Sequence, residues 1–265
     1  PGPGSIQSRR PIPQLSAIRA IRFDGKSIYH AVTFKAERRL RDNYAYNVSY
    51  TLSTSKDDAS SPGATAAESN VPQNVRNVFS DTGEWAHSSF DHRHQFVLSG
   101  VYQLPFFQGT GGMSEAVLGG WRINGILTMQ SGSPFTINLG TDRANIGSGP
   151  SQRPNQVQDP KLPRSQRTAN QWFDTTAFTL PDAYTFGTAP RNSVVGPGYA
   201  NLDLAIAKTW RMPNESQLEF RWEIFNLFNN TNFMLPNRIF GTPNFGRIFS
   251  AGNAREMQFG IRYAF

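Results

Sequence analysis

The densest chemistry-bearing stretch of the chain is His87-Ser-Ser-Phe-Asp-His-Arg-His94, which gathers three of the four histidines and Asp91 within eight residues. Neutral imidazoles and a carboxylate are ligands for zinc or copper. The spacing works against that use. On an extended chain His92 and His94 share one face, while Asp91 and Arg93 share the other, so no single-face chelate joins Asp91 to both neighbours. The plainer reading pairs Asp91 with Arg93 at a rim, and no metal ligand is assigned. Hydrolytic chemistry needs a nucleophile, a base and an orienting acid within reach of one another. His30 is isolated, and no Gly-x-Ser-x-Gly elbow, His-Glu-x-x-His pair or phosphate-cradling loop occurs. Gly109-Thr-Gly-Gly112 has no following Lys and reads as a turn. The chain is therefore expected not to be an enzyme, with no catalytic residue and no cofactor.

Charged residues at a spacing of two are more informative. In Gln217 to Ile224, Glu219, Arg221 and Glu223 alternate with Leu218, Phe220, Trp222 and Ile224. A strand puts these sets on opposite faces. The charges then point into one wet space, beside Asp203, Arg262 and Glu256 of neighbouring strands. Such a wall lines a solute path or holds an inserted domain; ion pairing between strands in a wet lumen is the simpler use.

The elements that must position these residues repeat the same two-faced design. Tyr44, Tyr46, Val48, Tyr50 and Leu52 alternate with small polar residues over Asn43 to Ser53. Phe96, Leu98, Gly100, Tyr102 and Leu104 oppose Gln95, Val97, Ser99, Val101 and Gln103. Tyr29 to Glu37, Trp121 to Gln130 and Leu202 to Trp210 add three strands, and Leu15 to Phe23 adds a first member whose pattern Ile18 breaks. The last eleven residues set Met257, Phe259, Ile261, Tyr263 and Phe265 against Glu256, Gln258, Gly260, Arg262 and Ala264. Ending on a fully apolar strand face suits a barrel with lipid outside and water inside, because every backbone group then pairs between strands.

Connection lengths support the same reading. Working back from Phe265, Phe228 to Ala254 is long, Arg211 to Ser216 short, Asn138 to Tyr199 longest, Pro105 to Val117 modest, Thr54 to Phe90 long and Arg38 to Asp42 short. Outer-membrane barrels have long external loops and short periplasmic turns. The longest loop is polar but carries Trp172, Phe173, Phe178, Tyr184 and Phe186. Of these, Trp172, Phe173 and Tyr184 are candidates for contact with an external ligand. Loops that merely fold over the barrel mouth would have the same composition.

A mean hydropathy of -0.47 and the lack of a long apolar run exclude a transmembrane helix but not a barrel. Twenty Phe, eight Tyr and five Trp fit aromatic girdles, and zero Cys removes disulfides and thiolate metal sites. The net charge of +7 arises entirely in residues 1 to 41, where nine Lys and Arg face two acids. Lys35, Arg38, Arg39 and Arg41 bracket a periplasmic turn, where long basic side chains reach lipid headgroups. No nucleic-acid recognition fold accompanies them.

Tyr29-His-Ala-Val-Thr-Phe-Lys-Ala-Glu-Arg-Arg39, Tyr50-Thr-Leu-Ser-Thr-Ser55, Asp91-His-Arg-His94, Leu98-Ser-Gly-Val-Tyr-Gln-Leu-Pro105, Gly120-Trp121, Ser131-Gly-Ser-Pro-Phe135, Phe225-Asn-Leu-Phe-Asn229 and Gln258-Phe-Gly-Ile-Arg262 resemble, in order, the C-terminal barrel of Oar-like TonB-dependent receptors. The resemblance implies an upstream signal peptide, often a carboxypeptidase-regulatory-like β-sandwich, a plug with a TonB box, and a plugged barrel of about 22 strands. No plug, signal peptide or TonB box is visible, so residues 1 to 265 are expected to form the C-terminal part of such a barrel. The implied partners are outer-membrane lipid, the plug and TonB through upstream sequence, the barrel-assembly machinery and a solute, in the outer membrane of a Gram-negative-type bacterium. Phe259, Ile261, Tyr263 and Phe265 would act as the assembly signal.

The expected fold class is all-β: an antiparallel transmembrane β-barrel segment of about seven or eight meandering strands, with long external loops and short periplasmic turns. The expected function is energised passage of a solute. A passive porin-like barrel and a surface adhesion or structural protein are the alternatives, and Glu219, Arg221, Glu223 and Arg262 are the lumen-facing candidates.

Overall fold

A computed structural model describes residues 1–15, 24–60, 84–147 and 152–265. The stretches with two-residue alternation form seven long strands: β1 (Ser27–Arg41), β2 (Tyr44–Asp57), β3 (His94–Gln103), β4 (Trp121–Gln130), β5 (Tyr199–Arg211), β6 (Gln217–Phe225) and β7 (Glu256–Ala264). Each pairs antiparallel with its sequence neighbour, giving one meander from β1 to β7. A short strand, Ala86–His87, extends the pairing past the membrane-length part of β2, at Lys56 and Asp57. The expected strand over 15–23 falls, apart from Leu15, outside the described residues.

Registers align the apolar residues into continuous rows. One row runs Phe34, Tyr50, Phe96, Met129 and Ala200; another runs Tyr102, Ile123, Ile206, Trp222 and Phe259. A slip of one residue at any pair would move a whole strand's apolar set to the wrong face. Aromatic contacts across strands reinforce the register: Trp222 and Phe220 each stack on Phe259, and Trp121 meets Phe220 edge-on. The opposite face carries Asn47, Ser49, Thr51, Ser99, Thr128, Asn201, Glu219, Arg221 and Glu223, with Val97, Val101 and Ile126 as its large apolar members beside small alanines such as Ala45, Ala205 and Ala207.

The connections alternate as their lengths imply. At one end, β1 turns into β2 through Asp42 and Asn43, which both have positive φ (53° and 71°), the backbone of a tight hairpin turn. Asn214 and Glu215 serve similarly between β5 and β6. The third connection at this end differs from a plain turn. After the glycine run at 109–112 it forms a seven-residue helix, α1 (Gly112–Leu118). At the other end lie the described parts of the long connections, 58–60, 84–93, 131–147, 152–198 and 226–255. No described helix is long and apolar enough to cross a membrane.

The dry core is in the loops, not under the sheet. Phe135, Ile137, Phe173, Ala177, Phe178, Ala189 and Val194 form one buried cluster, with Trp172, Leu235, Phe240 and Phe245 packed against it. Among the described residues no second sheet packs on its apolar face, and the residues of β1 and β7 are almost all exposed. A face of that kind is stable only where lipid covers it. In a bilayer, Leu98→Arg on the apolar face should cost about 2–4 kcal/mol, while Ser99→Arg on the polar face should cost about 1 kcal/mol or less. Denaturant titration of the two variants of the intact protein in phospholipid vesicles measures the difference, and equal costs would contradict the assigned faces.

Candidate functional site

Two regions carry the polar chemistry: the cap of folded loops and the charged inner wall. The cap begins where β4 ends. Gly132 runs so close to the facing strand that an added Cβ would lie 1.9 Å from the Gly196 carbonyl oxygen. This crossing lets Pro134–Phe135 pair with Val194–Val195 and drops the Phe135 ring, fully buried, into the cluster. Phe173 lies at the centre of that cluster and meets Phe135, Phe178 and Phe245 edge-on at 5.2–6.0 Å. Burial of these rings replaces the sheet-on-sheet core that a soluble β-protein would have.

Charges tie the cap to the sheet. The buried guanidinium of Arg191 donates to the carboxylate and carbonyl of Asp57 at the end of β2, to Ser60 Oγ (2.8 Å) and to the Glu84 carbonyl (2.9 Å). Arg153 forms a second buried ion pair with Glu84, at 2.6 Å. Asn192 continues the seam, donating to the His87 carbonyl at 2.7 Å and accepting from Thr136. Paired and hydrogen-bonded this fully, the charges fix loop position rather than add bulk stability.

Asparagines do the same between β5, β6 and β7. The side chain of Asn226, itself buried, donates to the Asn230 and Asn253 carbonyls and accepts from the Asn230 amide. Asn232 and Asn229 accept from the Ala200 and Arg255 amides, and Asp203 accepts from the Asn226 amide. The Phe225-Asn-Leu-Phe-Asn229 stretch is thus a loop-start device that supplies polar partners where strand pairing stops. Asp203 works there as well, with Asn201 as a second donor, rather than in the wall beside Glu219. In the cap, burial pushes the Asp142 carboxyl up, but donors from Ile146, Gly147, Gln152 and Asn145 outweigh it and hold the group below the usual carboxylate range.

The histidines diverge. His87 bonds Asp91 at 2.7 Å, His92 bonds the Ser131 carbonyl at 2.7 Å, and His94 bonds the Tyr50 hydroxyl at 2.9 Å. Asp91 also accepts from the Ser55 amide, so its expected pairing with Arg93 is replaced. The cause is the chain path: β3 starts only at His94, and the preceding turn folds Asp91 back under β2. No group of three metal-ligating side chains occurs among the described residues.

On the inner wall Glu219, Arg221 and Glu223 form a ladder along β6, with Arg221 paired to Glu219 at 2.8 Å and to Glu223 at 3.3 Å. Gln258 of β7 donates to Glu223. Arg262 lies opposite Glu219 in register, and Glu256 sits opposite Phe225 at the loop end, away from the ladder. The aromatic candidates of the long loop separate too. Tyr184 is exposed, Trp172 is half-buried with its indole N–H on the Val195 carbonyl, and Phe173 is 1% exposed. Buried that far, Phe173 holds the cap together and offers no surface to a ligand. Phe259, Ile261, Tyr263 and Phe265 line the exposed apolar face of β7, with Tyr263 and Phe265 stacked.

Sequence reasoning missed Asp57, Glu84, Arg153 and Arg191. They lie up to 134 positions apart and follow no local spacing, so only the folded loops reveal them.

An antiparallel meander with a lipid-type outer face, a polar inner face and loops gathered at one end is the wall of an outer-membrane barrel. The model of a family described as an outer membrane beta barrel domain matches residues 1–258, and the chain belongs to that family. No curated protein and no solved structure matches it. The protein is accordingly an outer-membrane protein of Gram-negative bacteria.

Arg191→Ala should destabilise the cap by about 3–5 kcal/mol, because it strands the buried Asp57 carboxylate, whereas joint replacement of Arg191 by Met and Asp57 by Leu should cost less. Limited proteolysis within 131–198 reads the outcome; equal protection in wild type and Arg191→Ala would show that the pair does not hold the cap.

Proposed function

We propose that the chain forms part of the barrel of an Oar-like TonB-dependent receptor, and that it serves energised passage of a solute across the outer membrane. The observation that carries this reading is the open sheet. Strand β1 pairs only with β2, and β7 only with β6, among the described residues. Unpaired edges are untenable in lipid, which supports a barrel completed by further strands, as in the large plugged barrels the sequence motifs resemble. A lumen of that width needs a plug, and the Glu219–Arg221–Glu223 ladder with Arg262 is the charged surface to receive it or to line the path around it.

Loop architecture favours the same assignment. The cap is a folded, ion-paired structure over the external end, which suits selective capture better than free diffusion. It also supports a second reading, a surface adhesion or structural barrel, since a folded external layer serves attachment equally well. Neither reading needs a catalytic residue or a cofactor, and we assign none.

The test is the upstream coding sequence together with uptake. A plug and a TonB box ahead of residue 1, with solute accumulation that stops when TonB is deleted or the proton gradient is collapsed, is the expected result. A chain without a plug would support the porin or adhesion reading instead. The terminal strand supplies a separate prediction. In the intact protein, changing Tyr263 and Phe265 to Ser should reduce the heat-modifiable, folded population in outer-membrane fractions, because β7 loses its interfacial anchors. Binding by the molecules that do assemble should be unchanged; normal assembly with lost binding would assign the strand to a ligand site.

A further inference from the structure

Helix α1 is not free in the periplasm. Its position is set by three residues on the outward face of the sheet, at the end where the short turns lie. Lys208 of β5 stands in an apolar row, opposite Trp121 of β4 on one side and Phe220 of β6 on the other. Its ammonium donates to the carbonyls of Glu115 (3.1 Å) and Gly119, and lies 5.2 Å from the Trp210 ring centroid and 5.8 Å from that of Trp121. The indole N–H groups of Trp210 and Trp121 donate to the carbonyls of Ala116 (2.6 Å) and Val117 (3.0 Å). The Glu115 carbonyl also accepts from the Gly119 amide, while those of Ala116 and Val117, which like other last carbonyls of a helix lack intrahelical donors, are supplied by the sheet. A cation in a lipid-facing row is thereby covered, with its charge on carbonyl oxygens and aromatic faces.

The surface that α1 and its lead-in turn outward carries a large apolar share beside the exposed Gln108, Thr110 and Ser114. Met113 is 80% exposed, and Phe106, Phe107, Val117 and Leu118 are each about half exposed. The segment's one carboxylate, Glu115, accepts from the Gly109 and Gly111 amides, which hold it below the usual carboxylate range. This apolar surface continues the outward face of β4 and β5, which lipid already covers.

We propose that residues 106–118 are an in-plane anchor that buries Phe106, Phe107, Met113, Val117 and Leu118 among the phospholipids of the periplasmic leaflet, with Lys208 as the positioning residue that clamps the helix to the barrel wall. The partner is phospholipid, because the patch is continuous with the lipid-facing surface and lies at its periplasmic margin. Short amphipathic segments bind interfaces through such buried apolar area, and Trp121 and Trp210 stand where interfacial indoles gather. The inference stands on the outer-membrane family and the outward face, whatever the barrel carries.

Residues 1–265 contain no cysteine, so, with any cysteine elsewhere in the intact protein changed to Ser, Met113→Cys, Val117→Cys and, as an external control, Tyr184→Cys each create a unique site for a nitroxide. The intact protein is folded into vesicles of phosphatidylethanolamine and phosphatidylglycerol, and only heat-modifiable preparations are measured. Labels at 113 and 117 should collide with dissolved oxygen and be several-fold less accessible to a water-soluble nickel chelate than the label at 184. Accessibility to nickel at both sites, equal to the control, would overturn the anchor by placing α1 in water. Shielding from both reagents would overturn it in favour of a protein partner or a second copy of the chain. Adding Lys208→Met should shift the label at 113 toward nickel; an unchanged balance would remove Lys208 from its positioning role.

Discussion

Backbone hydrogen bonding in a medium without water is the constraint on which this structure depends. Every amide and carbonyl at membrane depth must be satisfied by protein, which leaves helices or laterally paired strands. This chain lacks any described helix long enough to cross, so the load falls on the ladders from β1 to β7. Consecutive antiparallel pairing is the topology that two-residue turns and loops can connect without a crossover. The alternation of side chains follows at once: lipid solvates one face, water the other, and no second sheet is required.

The same constraint explains why the compact core lies outside the membrane-spanning part. A soluble β-protein buries one sheet face against another layer; here lipid takes that role, and the ring-rich cluster around Phe173 stabilises the loops instead. The described parts of the long connections then form a folded layer rather than slack chain. The buried Arg191–Asp57 and Arg153–Glu84 pairs set that layer over the end of β2. Polar side chains substitute for strand pairing wherever the ladder stops, as Asn226 and Asp203 do above β5 and β6.

Chemistry that looked concentrated in sequence is dispersed in space. Three histidines within eight residues serve three different partners, because the turn before β3 folds Asp91 inward while His94 already belongs to a strand. Conversely, charges that looked scattered converge in the cap. Glu219, Arg221 and Glu223 are the intermediate case: one strand holds all three, so sequence spacing and spatial grouping coincide.

The sequence by itself determined the strands, their two faces, the alternation of long and short connections and the class of membrane. Period-two patterning is local, and lipid is a uniform solvent that reads it without reference to partners. Phe96, Trp222 and Phe259 could be assigned to one face from their neighbours alone. Tertiary structure decided what the loops do: that Phe173 is core and Tyr184 surface, that Arg191 answers Asp57, and that α1 is clamped by Lys208 through the carbonyls of Glu115 and Gly119. Those contacts join residues far apart in the chain and obey no periodicity, so their energies come into being only when the segments meet.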